Sequence, residues 1–207
     1  MSASDAPQPL LLQVDDLMVR RGERLLFEGL SFAAGAGQAL LVRGPNGAGK
    51  SSLLLALAGI LRADRGTIRF GSDEPQRLIH FLGHQSAVKP RLTLSENLGF
   101  WAVLYGEAGV KPEAALEAVG LASLGGIEAG HLSAGQTRRL ALARLLVSKR
   151  PVWLLDEPLA ALDASGEALV AGLIDAHCAE GGIAVAATHQ DIGLAKPAET
   201  LLLGSAA

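Results

Sequence analysis

Residues Gly44-Pro45-Asn46-Gly47-Ala48-Gly49-Lys50-Ser51 satisfy the spacing G-x-x-x-x-G-K-[ST], and no other feature constrains this chain more tightly. Such a loop works only between a buried strand and the N-terminus of a helix. Its glycines let backbone N–H groups turn inward around phosphate, and the helix adds its positive end. The flanks meet that demand. Ala39–Val42 is an apolar run of strand length, and Lys50–Leu61 has good helix propensity. Gly44, Pro45, Asn46, Gly47, Ala48, Gly49, Lys50, Ser51 and Ser52 are therefore the candidate nucleotide-binding residues. Lys50 can reach the β- and γ-phosphates, and the Ser51 hydroxyl can ligate Mg²⁺.

A second constellation lies at Val152-Trp153-Leu154-Leu155-Asp156-Glu157, where two acids end an apolar strand. Open α/β sheets put ligands at that end of their strands. Asp156 can hold the Mg²⁺ shell. Glu157, one residue on, points elsewhere and can polarise an attacking water. By itself the pair also fits an ordinary acidic turn before Pro158; beside the glycine loop the functional reading prevails.

Further short runs, Ile183–Ala187 and Thr200–Leu203, are apolar on both faces and bounded by turn residues, as strands of a covered parallel sheet should be. Leu11–Leu17, Leu30–Phe32 and Thr67–Phe70 alternate more and predict an antiparallel sheet beside it. Between Leu92 and Val147 strand signals vanish. Helices are predicted at Ser95–Tyr105 with Ser95 as cap, at Pro112–Val119 with Pro in its first turn, and at Gln136–Val147. In the last of these, Arg138, Arg139 and Arg144 fall between the apolar positions. The expectation is one domain over 1–207, with an α/β core at 10–85 and 150–207 interrupted by a helical insert at about 86–149.

Composition narrows the function classes. Hydrophobic residues make up 49% and aromatics only 4%, which suits helices packed on a buried sheet. A net charge of -3 gives no basic footprint for nucleic acid, so none is expected as a partner. Cys178 is the only cysteine, which excludes an internal disulfide and argues for inert packing near a helix end. Met1–Pro9 lacks a basic region followed by an apolar core, so no secretory signal is expected. No apolar run approaches the ~18 residues of a spanning helix, so membrane contact would come through a partner.

Three more segments carry a resemblance. Leu132-Ser133-Ala134-Gly135-Gln136 resembles the LSGGQ signature of ABC ATPases and precedes Asp156 at that family's spacing. Gln85 stands where the family has its Q-loop glutamine, His189 matches its switch histidine, and Pro158–Asp163 is similar to its D-loop. The resemblance spans essentially the whole chain. It implies a RecA-like P-loop core with an antiparallel β subdomain and an inserted α-helical signature subdomain. It also implies an ATP-hydrolysing head-to-tail homodimer with ATP and Mg²⁺. Glu157 and His189 would be catalytic, and Ser51, Gln85 and Asp156 would serve Mg²⁺. Ser133, Ala134, Gly135 and Gln136 would hold the γ-phosphate on the other subunit's P-loop, with the helix opening at Gln136.

Leu82-Gly83-His84-Gln85, Lys89–Asn97, the alanine of LSAGQ and Gly181-Gly182-Ile183 leading to Thr188-His189-Gln190 look closest to one branch of that family. That branch is the ATP-binding subunits of haem exporters in bacterial cytochrome c maturation. It implies a peripheral subunit on the cytoplasmic face of the bacterial inner membrane, a multispanning channel subunit as partner, and haem as the exported species. His84 reads as a surface neighbour of Gln85 rather than an iron ligand. The chain departs from the family pattern twice. Arg21 stands where many members have an adenine-stacking aromatic, and its flat guanidinium can stack on a base instead. Ala160 replaces a frequent D-loop serine. A soluble ABC ATPase of DNA repair or translation is the rival; the ~70 residues between Gln85 and Asp156 leave no room for the coiled-coil insertion such proteins carry.

Overall fold

The computed structural model describes residues 10–72, 74–106 and 108–204. Met1–Pro9, and with it the expectation about a secretory signal, lies outside the described residues. Two sheets organise the chain. β1 (Leu11–Arg21), β2 (Arg24–Gly35) and β4 (Arg65–Arg69) form an antiparallel sheet in the order β2-β1-β4. β3 (Ala39–Arg43), β5 (Ile79–Leu82), β6 (Val152–Asp156), β7 (Ile183–Ala187) and β8 (Glu199–Leu202) form a parallel sheet in the order β5-β6-β7-β3-β8.

β1 buries Leu12 and Val14, then Leu17 and Val19. The period of two slips by one residue at Asp15-Asp16, where the pairing register shifts and Asp16 takes φ 48°. A bulge keeps every apolar side chain of β1 on one face. In the parallel sheet, neighbouring residues feed opposite cores. Val152 and Leu154 of β6 pack with α1 (Lys50–Leu57) and the antiparallel sheet, whereas Trp153 and Leu155 pack with the helices on the other side. Those helices are α2 (Leu94–Tyr105), α3 (Pro112–Ala118), α4 (Ala134–Ala143) and α5 (Ala164–Ala179). No helix among the described residues is long and apolar enough to cross a membrane.

Several boundaries differ from the sequence expectation. α1 stops at Leu57 rather than Leu61, because Gly59 at φ 70° leaves the helical region. α2 is capped by Thr93, not Ser95: the Thr93 hydroxyl accepts from the Glu96 N–H while the Glu96 carboxylate accepts from the Thr93 N–H. α4 runs Ala134–Ala143 instead of Gln136–Val147. Although they fall between the apolar positions, Arg138 within α4 and Arg144 at its C-cap are buried, at 4% exposure each. β5 and α5 went unpredicted.

Candidate nucleotide site

The glycine loop sits between β3 and α1, as its pattern requires. Gly49 is the N-cap residue of α1 with φ 100°, and no side chain caps the helix, so its first N–H groups stay free for an anion. A side chain at Gly49 would crowd Phe27 and Leu26, closing the cradle from behind. Lys50 is buried, and its ammonium donates to the Gly44 carbonyl at 2.8 Å and the Pro45 carbonyl at 3.3 Å. No carboxylate pairs with it among the described residues. A buried cation held only by carbonyls, above uncapped helix N–H groups, is a site for a polyanion.

β6 delivers the acids to this loop. The Ser51 hydroxyl donates to Asp156 Oδ1 at 3.0 Å, joining the start of α1 to the end of β6. Burial pushes the Asp156 carboxyl up from its ordinary value, as does the charge of Glu157. The Ser51 hydrogen bond and the charges of His84 and Arg138 pull the other way. An acid whose ionised form is short of solvent, beside a hydroxyl, is an oxygen donor set that fits a divalent cation. No geometry for such an ion is implied beyond the pairing of these two side chains.

Glu157 takes φ 46°, a left-handed conformation that side chains other than glycine rarely adopt. Its N–H donates to the Ala187 carbonyl at 2.8 Å, which anchors it to the end of β7. Two residues past Ala187, the His189 ring places Nδ1 3.1 Å from a Glu157 carboxylate oxygen. Lys50, Ser51, Asp156, Glu157 and His189 thus come together at one end of the parallel sheet. Gln85 lies exposed on the loop after β5, and no hydrogen bond among the described residues joins it to Ser51 or Asp156. Arg21 is exposed at the end of β1, opposite Arg24 in the hairpin. Arg24 is the one that reaches the loop, its Nη2 3.4 Å from the Gly47 carbonyl.

The LSAGQ segment forms a separate cluster. α4 opens at Ala134, two residues before the expected Gln136, with Ser133 as its cap. The Ser133 hydroxyl accepts from the Gln136 N–H at 3.2 Å, and the Gln136 side-chain oxygen accepts from the Ser133 N–H at 2.9 Å. The Gln136 amide is therefore satisfied within the chain, which leaves the first-turn amides of Ala134 and Gly135 for an anion. A side chain at Gly135 would stand 3.0 Å from the Ala161 carbonyl, and Arg139 pairs with Asp163 at 3.1 Å. The segment leans on Pro158–Asp163 and makes no hydrogen bond to its own glycine loop.

Sequence reasoning missed Arg138. Its guanidinium donates to the carbonyls of Gly83, Asp156, Glu157 and Pro158 at 2.6–3.2 Å. One signal was available: Gln136–Arg150 holds five cations and no acid, so an arginine buried there finds no carboxylate within its own segment.

A family model described as ABC transporter matches residues 27–160, a stretch that runs from the hairpin through the glycine loop and LSAGQ to the Asp156-Glu157 pair. The chain belongs to the ABC transporter family. Curated relatives agree along nearly its full length. A cytochrome c biogenesis ATP-binding export protein, CcmA, of Rhizobium meliloti (strain 1021) is 51% identical over 193 residues, 89% of this chain and 93% of the relative. The protein of the same name from Rhodopseudomonas palustris (strain BisB5) is 48% identical over 191 residues, 90% of this chain and 94% of the relative. Among solved structures, a putative ABC transporter ATP-binding protein from Pyrococcus furiosus superposes with TM-score 0.82 at 28% identity, covering 93% of this chain and 97% of that one. A bacterial Atm1-family ABC exporter with ATP bound shares the fold, with TM-score 0.81 at 24% identity, over 99% of this chain and 39% of that one. As an ABC ATPase domain the chain binds ATP, and its family implies hydrolysis.

Proposed function

We propose that this chain is the ATP-hydrolysing subunit of an exporter serving cytochrome c biogenesis, with haem as the exported species. It would sit on the cytoplasmic face of the bacterial inner membrane, as a homodimer beneath a multispanning channel subunit. The export role rests on the names of relatives 48–51% identical along nearly the whole chain. The ATPase role rests on one geometric observation: a buried, carboxylate-free Lys50 beside a joined Ser51–Asp156 pair, with Glu157 and His189 at the same sheet end. Soluble DNA-repair and translation ATPases are disfavoured by those relatives. Residues 10–85 and 150–207 act as the core lobe, and 86–149 as the helical lobe.

The chemistry follows from the side chains. Lys50 leaves the Gly44 and Pro45 carbonyls for the β- and γ-phosphate oxygens, while the first amides of α1 and the residues Gly44–Ser52 wrap the rest. Bound Mg²⁺ neutralises phosphate charge, and Ser51, Asp156 and Gln85 are the residues that would hold it. Glu157 accepts the proton of the attacking water. His189, now paired with Glu157, turns its ring to the γ-phosphate and orients it. Arg21 or its neighbour Arg24 covers the base. On the partner copy, Ser133, Ala134 and Gly135 close over the same phosphate, with Gln136 fixing the cap that presents them.

Complementation tests this reading. In a strain lacking the chain, the wild type restores haem-bearing c-type cytochromes, whereas Glu157→Gln, stably expressed, does not. Restoration by Glu157→Gln would contradict the proposal.

A further inference from the structure

Arg138 is the buried cation of α4, and each of its hydrogen bonds ends on a backbone carbonyl. Nε donates to Pro158 at 3.2 Å, Nη1 to Gly83 at 3.1 Å, and Nη2 to Asp156 at 2.8 Å and Glu157 at 2.6 Å. These acceptors come from three segments: the stem of the Gln85 loop, the end of β6, and the start of the turn after it. A fork of fixed planar geometry can span them, while a lysine's single ammonium cannot.

Glu157 needs such support. Its φ of 46° is unfavourable for a side-chain-bearing residue, and a conformation of that kind persists only when its surroundings hold it. The Glu157 N–H is fixed by Ala187, and the Glu157 carbonyl accepts from Arg138 and from the Ala160 N–H at 3.1 Å. Arg138 also lies five residues along α4 from Ser133, about 7.5 Å at the helical rise. One rigid element therefore carries the LSAGQ cap at one point and grips the Glu157 backbone at another.

We propose that Arg138 is a positioning residue: it holds the Glu157 backbone in its left-handed conformation and mechanically links the LSAGQ end of α4 to that carboxylate. The inference rests on the reading of Glu157 as the base. The hydrogen bonds of Arg138 are all to backbone carbonyls. Its effect on the rate runs through where Glu157 points.

The test uses the full chain carrying Arg138→Lys, Arg138→Gln, Glu157→Gln, or each Arg138 change combined with Glu157→Gln. Mant-ATP affinity and the hydrolysis rate are measured for each. Arg138→Lys is expected to lower kcat by about 10- to 100-fold, as a misplacement on the order of 1 Å does, with the ATP dissociation constant unchanged. In the Glu157→Gln background the same substitution should cost no further rate, because no carboxylate remains to be placed. Rate losses that multiply in the double variants would overturn the inference. So would parallel loss of ATP affinity in both Arg138 variants, which marks an arginine that only holds the fold. A slow Glu157→Gln protein with a native-rate Arg138→Lys protein sinks the Arg138 inference alone. A native-rate Glu157→Gln protein sinks the reading of Glu157 itself.

Discussion

Lys50 and Asp156 meet at the site as two buried ionisable groups that do not pair with each other. Lys50 spends its hydrogen bonds on Gly44 and Pro45, and Asp156 accepts from Ser51. Leaving a buried ammonium without an anion is costly, and the cost is relieved when phosphate arrives. Lys50→Ala should therefore remove most ATP affinity, by about 100-fold or more if a charged hydrogen-bonded partner is worth roughly 3 kcal/mol. Mant-ATP titration reads this directly, and near-native affinity would contradict the cradle. The glycine loop was legible in sequence because its spacing specifies it, and Asp156 and Glu157 because they end an apolar strand in a chain that carries that loop. Arg138 was not, since a long cationic side chain reads as surface until a partner surface buries it. Arg24 was equally hidden: the family resemblance points to Arg21, whereas the β1–β2 hairpin brings the Arg24 guanidinium to 3.4 Å from the Gly47 carbonyl.

At the scale of elements, the parallel strands were the easiest to read. β3, β6 and β7 are buried apolar runs with turn residues on both sides, and the sequence placed them within a residue of their observed ends. β5 escaped because His80 interrupts a run of only four residues. α5 escaped because Gly166 and Gly172 weaken its propensity, and its buried face is the narrow set Gly166, Val170, Ala171 and Ile174. Both become necessary only once the sheet exists to pack them. His80 itself is fully buried, with Nε2–H donating to the Ser148 carbonyl at 2.9 Å. Burial lowers its pKa from 6.5 to about 4. A lowered histidine binds fewer protons folded than unfolded, so stability is lost as pH falls from 6.5 toward 4. Between pH 7.5 and 5 the loss from His80 is on the order of 2 kcal/mol. His177, also lowered by burial, acts in the same direction. Urea unfolding at the two pH values should show His80→Gln losing about 2 kcal/mol less than wild type over that span. Equal losses would place the titration elsewhere.

At the scale of the molecule, the proposed function makes the site one that a single copy does not complete. Lys50, Asp156, Glu157 and His189 gather at one sheet end, while the LSAGQ cap rests on Pro158–Asp163 and makes no hydrogen bond to its own glycine loop. Under the proposed function, two copies arranged head to tail would supply each loop with the other's Ser133, Ala134 and Gly135, and hydrolysis would release them. Glu157→Gln keeps size and polarity, removes the proton acceptor, and relieves repulsion near the γ-phosphate. Light scattering on a size-exclusion column decides the matter with Glu157→Gln in Mg-ATP. The account predicts twice the monomer mass with nucleotide, the monomer mass without it, and the monomer mass again when Ser133→Arg is added. A Ser133→Arg double variant that dimerises as readily as Glu157→Gln alone would contradict a site shared between two chains.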